Sequence, residues 1–187
     1  MPVLAVWTPE DGLLGALAPL GLAAATDGKA TLVVDLDEQG PKYPSQTSLA
    51  DLVAFGPHRD DLIGSRRGLA VLRNGGVSLD RARQVVDALM RGWDWVVLRL
   101  PARPVPTMGP IGVVPVRIIL PRPLFGSISG PAVYQSTPVP ARLPGPGVRL
   151  PIPSPATVAA LVTGRVPHKA DRWVRAWRQV WEVPWGR

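Results

Sequence analysis

Four short apolar runs, separated by segments long enough for helices, limit the folds open to this chain more than any other feature. They are residues 3–7 (VLAVW), 30–36 (ATLVVDL), 69–72 (LAVL) and 95–100 (WVVLRL). Each is apolar over consecutive residues rather than on alternate ones, with a charge only near the end of the second and fourth. Each is bounded by Gly, Pro or Asn, as a strand buried on both faces requires. Between them, residues 12–25 are rich in Leu and Ala. Ser48 can cap a short helix through Ala54, ended by Gly56-Pro57. Ser78 can cap a third helix over residues 79–91. In that segment Ala82, Val85, Val86 and Leu89 recur at helical spacing and predict one buried face, with Gly92 at the C′ position. Strands alternating with helices predict a three-layer α/β domain whose sheet is mostly parallel and covered on both faces.

The second half differs in kind. Of 23 prolines, 15 fall in residues 101–155. Residues 113–120 (VVPVRIIL) and 132–135 (AVYQ) can each form a strand, with Pro115 expected at an edge or a strand start because it cannot donate to a ladder. Helix is not expected over residues 102–147. Residues 148–153 (VRLPIP) read as a last strand and 156–166 (ATVAALVTGRV) as a helix. Residues 170–182 predict an amphipathic helix, with Trp173, Val174, Trp177, Val180 and Trp181 within about 120° of one wheel. The whole chain is expected to form one domain: strand–helix repeats over 1–101, a Pro-rich connection over 102–147, and a last strand with C-terminal helices over 148–187.

Composition excludes several chemistries. Without cysteine there are no disulfides, thiolate nucleophiles or Cys-based zinc sites. His58 and His168 each sit beside a proline with no nucleophile or metal motif around them. No run of about 18 apolar residues is present for a membrane span, and residues 1–7 lack the basic region of a secretory signal, so a cytoplasmic location is expected. The net charge of +7 lies almost wholly in the second half. It admits a nucleic-acid or anionic-lipid partner.

The order of these pieces resembles the MinD/ParA family of P-loop ATPases. Members run from a first strand through K-G-G-x-G-K-[ST] into a helix, end a second strand in D-x-D, and end a later strand in D-x-P. Here the first strand leads into Thr8-Pro9-Glu10-Asp11-Gly12-Leu13-Leu14-Gly15-Ala16-Leu17, the second ends Asp35-Leu36-Asp37, and the later one ends Leu98-Arg99-Leu100-Pro101. The segment ending Gly164-Arg165-Val166-Pro167 is similar to the family's last helix, whereas residues 102–147 match poorly. The resemblance implies a degenerate phosphate loop at Glu10, Asp11, Gly12, Gly15 and Ala16. Glu10 stands where the family has its signature lysine. Gly15 or Ala16 stands for the second lysine, and Ala16 or Leu17 for the Ser/Thr that holds Mg²⁺. Arg99 replaces the metal-linked aspartate, so Asp35 and Asp37 remain as a vestigial site.

The expectation is therefore a pseudo-ATPase without cofactor or metal, catalytically inactive, acting as a scaffold or regulator in a secretion, pilus or cell-positioning system. Its partner would be an active relative or a copy of itself, since the resemblance implies face-to-face dimers. Two alternatives remain: non-specific nucleic-acid or membrane-surface binding, and atypical ATP binding with nucleotide-controlled dimerisation, for which Lys29 or Lys42 would have to supply the missing charge. Trp173, Trp177, Trp181 and Trp185 can form a partner or membrane surface, or pack into the core. Glu10, Asp11, Asp35 and Asp37 can cluster at strand ends to hold a hard cation, or an ion pair from Arg99 to Asp35 or Asp37 can stiffen the site.

Overall fold

Apolar runs that cannot be solvated on either face pair side by side, and here they build one parallel sheet. In the computed structural model, which describes residues 2–10, 12–40, 42–58, 68–102, 108–122, 128–163, 165, 167–168 and 170–185, seven strands form. They are β1 (Val3–Trp7), β2 (Thr31–Asp35), β3 (Leu69–Leu72), β4 (Trp95–Arg99), β5 (Gly112–Ile118), β6 (Ala132–Gln135) and β7 (Gly147–Leu150). Their order is β3-β2-β4-β1-β5-β6-β7, and all the pairings among them are parallel. The helices are α1 (Leu13–Ala24), α2 (Leu49–Phe55), α3 (Leu79–Gly92), α4 (Pro155–Val162) and α5 (Arg172–Trp177), the last running into a 3₁₀ segment, Arg178–Glu182.

The sheet separates two apolar layers. Val6, Val33, Val97, Val114, Val133 and Leu150 face α1, α4 and α5. Ala5, Leu32, Val34, Val96 and Leu98 face α2 and α3. Helix α1 is apolar all round and accordingly buried, Leu17 to Ala23 included. Ala82, Val86 and Leu89 of α3 are buried with Val85 at their margin, as the spacing predicts. Gly92 differs: it is the last helical residue, and Trp93 in extended conformation ends α3. A capping box starts α2, with Ser48 Oγ accepting from Asp51 N and the Asp51 carboxylate accepting from Ser48 N.

Beyond β4 the construction changes. No described residue between β5 and β7 is helical, and the described parts of these connections are irregular and proline-bearing. The strand over residues 113–120 forms as β5, but Pro115 is at neither an edge nor a start. β5 lies inside the sheet, pairing with β1 through Gly112 to Pro115 and with β6 through Val116 to Ile118. The proline is thus accommodated at the handover between the two ladders, where the loss of one donor interrupts neither.

Of the two roles the sequence leaves to the C-terminal tryptophans, core or surface, they take the core. Trp173, Trp177 and Trp185 are 1%, 0% and 8% exposed, and Trp181 is half-buried, its indole donating to Leu22 O at 3.1 Å. They pack on α1 and the sheet, so these indoles do not form the partner or membrane surface. The reason is Gly21, whose missing side chain leaves the space that Trp173 and Trp177 fill. The expected helix over 170–182 tightens to 3₁₀ at Arg178, and Val180 lies in the same core. Among the described residues no helix is long and apolar enough to cross a membrane.

Candidate functional site

The carboxyl ends of β1, β2 and β4 meet at one edge of the sheet, where open α/β sheets form crevices for ligands. Parallel register sets Asp35 of β2 directly beside Arg99 of β4, with Val6 of β1 on the far side of Arg99. Arg99 is 2% exposed. Its Nη1 donates to Asp35 Oδ2 at 3.2 Å and its Nη2 to Asp37 Oδ2 at 2.9 Å. The guanidinium fork therefore spans both carboxylates, a geometry that its planarity favours.

Backbone donors complete the cluster. Asp35 Oδ1 accepts from Asp37 N at 3.0 Å, and Asp37 Oδ1 accepts from Gln39 N and Gly40 N at 3.1 and 3.0 Å. A Cβ on Gly40 would overlap the Asp37 carboxylate and the Arg99 guanidinium, so the turn closes only with glycine there. The Tyr43 ring lies 5.4 Å from Arg99 Cζ, and its hydroxyl donates to Ala16 O at 2.8 Å, tying α1 to the pair. Burial raises the Tyr43 phenol far above its usual range despite the nearby Arg99 charge. Burial likewise pushes Asp35 up to about 6, against the pull of Arg99. With one guanidinium between two carboxylates, the cluster carries an excess negative charge that a proton relieves.

The loop from β1 to α1 is short, residues 8–12. Gly12 precedes α1 at φ 99°, and no side chain among the described residues caps the helix. Glu10 does not join Asp35 and Asp37. Its Oε1 accepts from Arg117 Nε at 2.7 Å, the two side chains each about 10% exposed, while Oε2 is buried with no hydrogen-bond partner among the described residues. Gly15 is buried inside α1, and Ala16 enters the site only through its carbonyl. Asp11 lies outside the described residues, as do Gly164 and Val166. Among the described residues no three carboxylates or histidines come within reach of one metal ion, so the four-carboxylate arrangement does not form.

Three contributors escaped the sequence reading. Arg117 carried a signal, a charge inside the apolar run VVPVRIIL, but its partner is 107 residues away. Tyr43 and Gly40 gave none beyond their closeness to Asp37.

In comparisons with known proteins, no family model and no curated protein matches the chain. Solved structures do. MinD cell division protein of Aquifex aeolicus is similar over 100% of both chains, with a TM-score of 0.57 and 12% identity. MinD in the MinC:MinD cell division complex of the same organism covers 100% of this chain and 99% of its own, at 0.56 and 11%. Cobyrinic acid a,c-diamide synthase of Mycobacterium smegmatis, with a bound ATP analogue and magnesium, covers 97% and 93% at 14% identity, with a TM-score of only 0.43. The fold is thus that of MinD, a three-layer P-loop NTPase fold.

Proposed function

We propose that this chain is a catalytically inactive protein of the P-loop ATPase fold, a pseudo-ATPase with a degenerate phosphate loop, that acts as a protein-binding scaffold or regulator. The observation that carries this reading is Arg99, held between Asp35 and Asp37. A triphosphate with Mg²⁺ needs cationic and hydroxyl groups in the loop, and free carboxylates at the strand ends to hold the metal. Here both carboxylates are already engaged by one internal cation. The loop offers Glu10, itself engaged by Arg117. Seating a nucleotide would mean breaking buried ion pairs and bringing further negative charge beside Asp35 and Asp37.

The same face supports a protein partner. Leu13 opens α1 beside the loop and is 61% exposed, so the edge that a nucleotide would cover presents an apolar side chain. A protein of this fold, MinD, is found with MinC in the solved complex. For this chain the partner is a second copy or an active relative, meeting the strand-end face without nucleotide control, in a secretion, pilus or cell-positioning system.

The test measures phosphate release from Mg-ATP together with molar mass by light scattering, with and without nucleotide, for the native chain and Leu13→Glu. The expected result is no release above buffer and a self-association or capture of a relative that nucleotide leaves unchanged and Leu13→Glu weakens at least tenfold. Turnover that Asp35→Ala abolishes would overturn the proposal.

A further inference from the structure

Away from the strand ends, the structure holds a basic groove that the proposed function does not use. It has a volume of about 770 Å³ and is walled by Arg172, Arg175, Arg178 and Gln179 on one side and by Ser136 and Arg149 on the other. The first wall is α5 with its 3₁₀ extension; the second belongs to β7, the outermost strand, and the residue after β6.

Among the described residues, none that line it is acidic and four are arginine. Arg178 has a counter-charge in Asp27, at 2.5 Å, and even so its Nε is buried without a hydrogen-bond partner among the described residues. Arg149 is steadied by donating Nε to Ser136 Oγ at 3.0 Å. Arg172 and Arg175 are exposed and make no ion pair among the described residues. Like charges gathered at one site repel, and a multiply charged anion relieves that repulsion. Guanidinium is the cation best matched to phosphoryl oxygens, which it grips through two parallel hydrogen bonds.

We infer that this groove binds a soluble ligand carrying two or more linked phosphoryl groups. Size and form select this class over a nucleic acid. Arg172, Arg175 and Arg178 lie along roughly 9 Å of helix at about 1.5 Å per residue. The groove's volume falls in the range of small-ligand sites, about 300–1,000 Å³. Among the described residues no aromatic side chain lines it on which a base could stack, as single-strand binders use. A nucleoside polyphosphate and an inorganic polyphosphate share the chemistry that this site recognises.

Calorimetry on the full chain decides it, with inorganic tripolyphosphate, ATP, orthophosphate and a short DNA duplex titrated into native protein and into two variants. One variant is Arg172→Gln/Arg175→Gln and the other is Arg149→Gln; these exposed side chains lie on opposite walls, and thermal melting verifies that both variants fold. Tripolyphosphate is expected to bind at least tenfold tighter than orthophosphate, and both variants to weaken it at least tenfold. Equal binding of ATP assigns recognition to the phosphoryl chain alone; tighter binding of ATP names a nucleotide as the source. Asp35→Ala is expected to leave all of this unchanged, which separates the groove from the strand-end site. No heat with millimolar tripolyphosphate, binding that survives both variants, or DNA binding more tightly than tripolyphosphate overturns the inference.

Discussion

The two halves of the sheet are built by different means. Strands β1 to β4 are joined by crossovers that carry helices, α1 on one face and α2 and α3 on the other, so both faces are covered as the chain proceeds. Strands β5 to β7 have no described helix between them. One face of that half is closed only when the chain returns, through α4, α5 and the tryptophans. The opposite face carries a small cluster of Ile119, Ala132 and Tyr134, against which Ala141 packs. Local sequence can specify the first arrangement piece by piece. The second depends on contacts between segments far apart, so its stability is concentrated in a few large side chains.

The strongest way to break that contrast is Trp177→Ala. The indole is fully buried beside Trp173, their ring centroids 5.5 Å apart, and its loss leaves a cavity between α1 and the sheet. A loss of about 4–5 kcal/mol is expected in chemical denaturation. Because Trp177 Nε1 has no hydrogen-bond partner among the described residues, Trp177→Phe should cost far less. Trp173→Phe should cost about 2 kcal/mol, since Gln135 Oε1 loses its buried donor at 2.8 Å. Equal costs for the two Phe variants would show that the tryptophans act by volume alone.

Arg99→Met probes the other half and should cost about 3–4 kcal/mol, because it leaves Asp35 and Asp37 buried without their cation. The triple variant Arg99→Met/Asp35→Leu/Asp37→Asn should recover most of that loss. If the single substitution is neutral, the pair is not what holds the strand ends together.

Legibility in the sequence follows the same division. Residues 3–7, 69–72 and 132–135 coincide with β1, β3 and β6 because each apolar run is cut by Gly, Pro or a polar residue. The Asp35–Arg99 contact could be anticipated because both residues end strands that become neighbours in the sheet. Glu10–Arg117 could not, since it requires knowing that β5 lies against β1 and that Pro115 can sit within the sheet. The fate of the tryptophans was not fixed locally because a helical stripe of indoles, although more often core, also fits a partner or a lipid surface. What decides it is Gly21 on a different helix, a gap that no local pattern of residues 170–185 contains.

A smaller effect, of about 3 kcal/mol at most, comes from pH. Asp35 has its pKa raised from 3.8 to about 6 by burial, so the folded state holds this proton more tightly than the unfolded chain. The stabilisation is complete below pH 3.8 and is lost as pH rises through about 6. Asp51 acts in the opposite sense, its pKa lowered by hydrogen bonds from Ser48, so its contribution is present above pH 3.8 and lost as pH falls. Between pH 4.5 and 7 the Asp35 effect should dominate, and denaturation midpoints should fall across that window. Asp35→Asn should flatten the decline; an unchanged slope in that variant would assign it to another group.

The smallest effect compares the same substitution in the two halves. Ser48 and Ser154 both cap helices, each accepting from the backbone N–H three residues on. At Ser48 the hydroxyl also donates to the Asp51 carboxylate at 2.7 Å, closing a box of side-chain contacts within α2 itself, while Leu49 N and Ala50 N donate to Arg73 O and Asn74 O. At Ser154 the contact continues through Thr157 Oγ1 to Asp171, at 2.7 and 2.6 Å, and Asp171 itself caps α5. Ser48→Ala should cost about 1 kcal/mol, with faster hydrogen exchange confined to the first turn of α2. Ser154→Ala should cost less in global stability, because Asp171 still holds the Thr157 hydroxyl. Its effect on exchange should nevertheless reach α5 as well as α4, since that hydrogen-bonded chain joins the two helices. Exchange changes limited to α4 would mean that the returning segment is held by its tryptophans alone.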